Sequence, residues 1–147
     1  MNLYFDTSAL VKFFHDEPGT DKVTLWIEDP KNVIWLLSLA RLEFVSVLFR
    51  RYRNHEITEQ ALSTAISGFE QQIALFNVQP LGQPVLEEAE SLIKEHGKVS
   101  GLRTLDALHL GAFILIADPD WLFVSADNNL CKVVSDLGYR VLNPLDE

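Results

Sequence analysis

The sequence of 147 residues has a single cysteine, Cys131. That excludes an internal disulfide and a multi-cysteine zinc site, and a reducing cytoplasm is the expected compartment. Positive charge is also scarce: 12 Lys and Arg stand against 21 Asp and Glu, for a net charge of −9 and a pI near 4.8. Without clustered cations, a bulk electrostatic clamp on DNA is excluded. Long apolar runs are missing too. The longest, residues 33–49, contains Arg41 and Glu43 and falls short of the roughly 20 residues a membrane span needs, so it is expected to be buried core and no membrane association is expected. The opening MNLYFDTSAL has no basic n-region and already carries Asp6, so no signal peptide is expected. Pro, Gly and Ser never gather into a linker and no repeat is visible, which leaves one continuous domain over residues 1–147 as the expected organisation.

What is present is a 48% hydrophobic chain whose apolar residues alternate between strand-like and helix-like segments. Leu3 to Phe5 reads as a strand running into a helix over Ala9 to Phe14, with Thr7 and Ser8 as capping side chains. A second helix starts near Pro18-Gly19 and ends at Asp29-Pro30. Val33 to Leu37 is a second strand, after which Ser38 is expected to cap a long helix with Leu39, Leu42, Val45, Leu48 and Phe49 on its apolar face. Thr58 opens the next helix. Pro84 opens another that Gly97 is expected to close, and Thr104 is the expected N-cap of LDALHLGAFILIA. Strands at Trp121 to Val124 and Tyr139 to Leu142 flank a last helix starting at Asn128 or Asn129. Strands separated by helices predict a three-layer α/β/α sandwich around a central parallel sheet, with a helical insertion in the middle of the chain.

Four acids occupy informative places in this pattern. Asp6 and Asp127 each follow a strand and precede a helix, at the edge where open parallel sheets hold ligands. Glu43 interrupts the apolar run of residues 33–49, and Asp106 lies in the first turn of its helix. Each has a plainer reading: Asp6 and Asp127 as helix caps, Asp106 as a first-turn acid favoured by the dipole, and Glu43 as a local partner of Arg41 or Ser46. If all four converge, their mutual repulsion needs a counter-charge, since one pair about 4 Å apart at an effective dielectric near 20 costs on the order of 4 kcal/mol. An all-oxygen set suits hard Mg²⁺ or Mn²⁺, which can assist hydrolysis of a phosphodiester.

At YFDTSAL, LARLEF, LRTLDALHL and FVSADNNL the chain resembles PIN-domain ribonucleases, specifically the VapC toxins of type II toxin–antitoxin modules. The resemblance runs from Asp6 to the last strand. It implies an endoribonuclease in which Asp6, Glu43, Asp106 and Asp127 surround Mg²⁺ or Mn²⁺, with Asp6 and Asp106 as the most direct ligands. Ser8 would match the hydroxyl residue that orients the site, with Thr7 and Ser125 in supporting positions. The chain departs from the family at Ser125, where Thr is frequent, and at Asn128 and Asn129, where some members carry a further acid that bears on a second metal. The resemblance further implies a homodimer, an RNA substrate and a cognate antitoxin whose basic tail enters the acidic pocket.

Candidate substrate contacts are Lys12, Arg50, Arg51, Arg53 and Arg103, with a solvated helix end as the plainer reading of Arg50, Arg51 and Arg53. His109 shares a helix face with Asp106 and is expected to be a packed supporting group rather than a base. His15, His55 and His96 are expected on surfaces or helix ends, and Cys131 in the core. Three rivals differ in class or in setting. A phosphotransfer receiver wants paired acids near the first strand and a lysine after a late one, which this sequence does not supply. A non-catalytic partner would use the acidic face to hold a basic protein. An RNA-processing nuclease would carry the same acids outside a toxin–antitoxin module.

Overall fold

The computed structural model describes all residues 1–147. In chain order it runs β1 (Asn2–Phe5), α1 (Thr7–Phe14), α2 (Thr20–Glu28), β2 (Val33–Leu37), α3 (Leu39–Arg53), α4 (Glu59–Ile73), β3 (Asn77–Gln79), α5 (Gln83–Ser100), α6 (Thr104–Ile116), β4 (Leu122–Val124), α7 (Asn128–Asp136) and β5 (Arg140–Leu142). The five strands are all parallel, in the order β3-β2-β1-β4-β5. Because β1 is central and its neighbours are reached by crossovers in opposite directions, the crevice beyond the carboxyl ends of β1 and β4 is the topological switch point. Register puts Phe5 beside Val124, so Asp6 and Ser125 leave the sheet side by side. The backbone N–H of Asp6 extends that ladder by donating to Val124 O.

Alternation along the strands builds one core on each face. Leu3, Phe5, Leu36, Leu122 and Val124 pack with apolar residues of α1 to α4, whereas Tyr4, Leu37 and Phe123 pack with α5, α6 and α7. Strands buried on both sides read as continuous apolar runs, which is what the sequence shows. The fold is therefore the expected three-layer α/β/α arrangement, with the pairs α3-α4 and α5-α6 forming the helix-rich middle. No helix is long and apolar enough to cross a membrane.

Several local expectations are corrected. The first helix is capped by Asp6, whose Oδ1 accepts from Ala9 N, rather than by Thr7 or Ser8. Ser38 caps nothing because its backbone is already helical; its Oγ accepts instead from Leu81 N, tying down the exit of β3. Thr104 lies inside α6 and not at its cap, which is Arg103. Gly97 sits within α5, and the helix stops four residues later at Gly101, whose φ of 63° is left-handed. On α3 the buried side is Ala40, Phe44 and Leu48, spaced four apart, while Leu42 and Phe49 are exposed. Residues 33–49 are thus a strand and a half-exposed helix rather than continuous core.

Candidate functional site

Strand ends and helix starts deliver the four acids to one cleft of about 480 Å³. Asp6 comes from the end of β1, Asp127 from the N-cap of α7, Glu43 from the second turn of α3 and Asp106 from the first turn of α6. Thr7, Ser8, Lys12, Arg50, Arg51, Arg103 and His109 share the lining, and so does Glu17. Arg53 does not. It borders a separate depression with Tyr52 and His55 at the far end of α3.

Asp6 is only 3% exposed and touches neutral donors alone. Its Oδ1 accepts from Ser8 Oγ at 2.8 Å and Ala9 N at 3.0 Å, and its Oδ2 accepts from Ser125 Oγ at 2.6 Å. Burial raises its pKa above the ordinary aspartate value, although the charge of His109 and these hydrogen bonds oppose the rise. Ser125, fully buried, also accepts from Asp127 N, and Ser8 accepts from Ala126 N. The two serines therefore lock the β4–α7 turn against Asp6, so the hydroxyl kept at Ser125 has a structural use.

Asp127 caps α7 through Oδ1, which accepts from Leu130 N, and turns Oδ2 to Arg103 Nη2 at 3.0 Å. Arg103 Nε donates to Asp106 Oδ2 at 3.1 Å, so one guanidinium spans both acids. Burial raises the pKa of Asp106 and Asp127 adds repulsion, against the lowering effect of Arg103 and His109. Glu43 is held differently. Its Oε1 accepts from Thr7 Oγ1 at 2.8 Å and from His109 Nε2 at 2.5 Å, across the interface of α1, α3 and α6. Burial would raise its pKa, but the His109 hydrogen bond and charge together with the Thr7 hydroxyl leave it lowered. Neither Arg41 nor Ser46 pairs with it, which removes the local reading of Glu43.

His109 is thus buried support for a site carboxylate, with its Nδ1 unpartnered. Cys131 is half-buried, not core. Its thiol donates to Ser125 O, and burial together with the Asp6 charge pushes its pKa up to about 11, which keeps it unreactive.

As the side chains stand, no three of the acidic, histidine or cysteine groups form a ready metal nest. Arg103 supplies the counter-charge at Asp106 and Asp127, and Glu43 is turned to His109. The donor chemistry nevertheless fits a hard cation: the acids are all-oxygen ligands, Asp6 is a buried carboxylate facing no ammonium or guanidinium, and Arg103 is 72% exposed and free to swing out.

Glu17 is the residue that sequence reasoning passed over. It accepts from Lys12 Nζ and Arg51 Nη2, both at 3.0 Å. The pairing with Arg51 spans 34 positions, and no local spacing signals it.

The PIN domain family model matches residues 3–135. Ribonuclease VapC49 of Mycobacterium tuberculosis is 31% identical over 140 residues, covering 95% of this chain and 93% of its own length. Ribonuclease VapC47 of the same species is 30% identical over 149 residues, covering 97% and 96%. Among solved structures, FitAcB from Neisseria gonorrhoeae superposes with a TM-score of 0.70 at 15% identity, over 99% of both chains. A chain of a toxin–antitoxin complex from Klebsiella pneumoniae gives 0.62 at 18% identity, again over 99% of both.

Proposed function

This chain belongs to the PIN-domain family, and from that membership we propose that it is an endoribonuclease, the toxin of a VapBC-type pair. The observation that carries the reading is the delivery of Asp6, Glu43, Asp106 and Asp127 from four separate elements to one cleft at the switch point of the sheet. The ribonuclease names of relatives aligned over nearly their whole length support the RNA substrate. The toxin–antitoxin complex among the structural neighbours supports an antitoxin partner. A basic tail on that antitoxin suits an acidic cleft, and the exposed Leu42 and Phe49 of α3 are apolar surface that a homodimer or the antitoxin can cover.

The cofactor we propose is Mg²⁺ or Mn²⁺, held by Asp6, Asp106 and Asp127, with Glu43 as a ligand or water-orienting group. When bound, such an ion supplies charge stabilisation for a phosphodiester undergoing in-line hydrolysis and lowers the pKa of water. The chain's own residues prepare the place. Ser8, Ala9 and Ser125 hold the Asp6 carboxylate in one orientation, so no rotamer search is needed on binding. Thr7 and His109 engage Glu43 Oε1 and keep the carboxylate ionised, which leaves Oε2 to orient water.

The test is cleavage of single-stranded RNA by the purified protein, with RNA ends mapped by sequencing. EDTA should abolish cleavage and Mn²⁺ or Mg²⁺ should restore it. Cleavage indifferent to chelation would sink the metal reading, and intact RNA under every metal condition would sink the nuclease reading.

A further inference from the structure

We propose that Lys12 and Arg51 form a subsite for one RNA backbone phosphate, flanking the phosphate that meets the acids. The proposal rests on the RNA-cleaving reading above and deepens it. The cleft is lined by five acidic and four basic side chains, and these are not mixed evenly. At one end Asp106 and Asp127 share Arg103, Glu43 is held by His109, and Asp6 meets no ammonium or guanidinium. At the other, Lys12 and Arg51 share a single acid, Glu17, and Arg50 lines the cleft without an acidic partner. The cleft is therefore bipolar. Its acidic end suits a cation, and its basic end suits an anion held beside it. Lys12 lies six residues along α1 from Asp6, a rise of about 9 Å, so the two ends suit different groups of one extended strand.

The basic end has donors to spare. Lys12 is 7% exposed, yet its ammonium makes one hydrogen bond, to Glu17 Oε1, out of three it can donate. Arg51 uses Nη2 on Glu17 Oε2, while its Nη1 is buried with no partner. An unsatisfied buried donor is costly, and a phosphate oxygen is the acceptor that a guanidinium and an ammonium can share. Glu17 bridges both cations and keeps their remaining N–H groups together.

The experiment measures binding of a short, mixed-sequence, single-stranded oligoribonucleotide to the full-length protein in EDTA, as a function of salt. Lys12→Met and Arg51→Gln should each weaken binding by about tenfold, the scale of one charge-assisted hydrogen bond. Each should also lower the slope of log affinity against log salt by about 0.7, the value of one single-strand phosphate. Because both contact the same phosphate, the double variant should lose that slope once and not twice. Arg53→Gln, outside the cleft, should change neither quantity.

Independently of any variant, neutral methylphosphonates placed one at a time in the oligonucleotide should reveal a single position that weakens wild-type binding and leaves the double variant unaffected. If Lys12→Met and Arg51→Gln lower the melting temperature but bind RNA with wild-type affinity and slope, the triad is only a clip between helices and the proposal is overturned. If no methylphosphonate position distinguishes wild type from the double variant, it is overturned equally. A wild-type protein that neither binds nor cuts RNA would instead remove the reading on which it rests.

Discussion

Arg103 donates through Nη2 to Asp127 Oδ2 at 3.0 Å, reaching across 24 residues from the start of α6 to the start of α7. With its bond to Asp106, the same side chain neutralises the mouth of the acidic end from within the chain. It stands where an inorganic cation would compete for the same oxygens.

That competition has a measurable sign. Arg103→Gln is expected to raise Mn²⁺ affinity in calorimetry by about two- to fivefold, a modest factor because the guanidinium is exposed and its pairs are screened. A loss of Mn²⁺ affinity would show that Arg103 helps build the cation site instead of competing for it.

Asp6→Asn should separate stability from activity. The pKa of Asp6 in the fold lies above its unfolded value, so between the two the native state keeps a proton that the unfolded chain has released. Stability therefore falls as pH rises through that window, and at neutral pH the buried charge is a burden. Asparagine can still cap α1 through its Oδ1. In EDTA the variant is expected to melt a few degrees higher than wild type while losing RNA cleavage. A lower melting temperature would mean that the carboxylate is already compensated.

His109→Ala carries the opposite pH signature. Glu43 has a lowered pKa, so its contribution to stability is present above the unfolded value near pH ~4.3 and is lost as pH falls through the folded one. Removing His109 leaves Glu43 Oε1 short of a donor, and the expected cost at neutral pH is about 1–3 kcal/mol. Urea midpoints measured against pH should show that cost shrinking on the acid side of pH ~4.3. A cost independent of pH would assign His109 to packing alone.

Gly111 sets how closely α6 approaches α5. A Cβ there would stand 3.2 Å from Ala89 N and 3.3 Å from Val85 O, backbone atoms that cannot turn aside. Gly111→Leu is expected to destabilise by about 1–3 kcal/mol in urea and to reduce cleavage, since α6 carries Asp106 and His109. Wild-type stability would mean that the helix pair has slack.

By itself the sequence determined the layered fold and the identity of the four acids. Both depend on short-range pattern: apolar runs of strand length alternate with helical periodicity, and Asp6, Asp106 and Asp127 sit at helix starts that local signals reveal. Glu43 was legible because a carboxylate inside an apolar run needs a reason. Local signals also misplaced three caps and one helix end: Asp6 itself caps α1, Ser38 is claimed by Leu81, Arg103 rather than Thr104 precedes α6, and α5 runs through Gly97. Only the tertiary structure decided how the charges are partnered. Arg103 with Asp127, His109 with Glu43 and Glu17 with Arg51 are pairs separated by 24, 66 and 34 positions. Which of them meet depends on crossover geometry and side-chain reach, and no residue spacing encodes that. The scarcity of positive charge excludes a bulk clamp, as composition implies, but folding brings four of the twelve cations, Lys12, Arg50, Arg51 and Arg103, to one cleft.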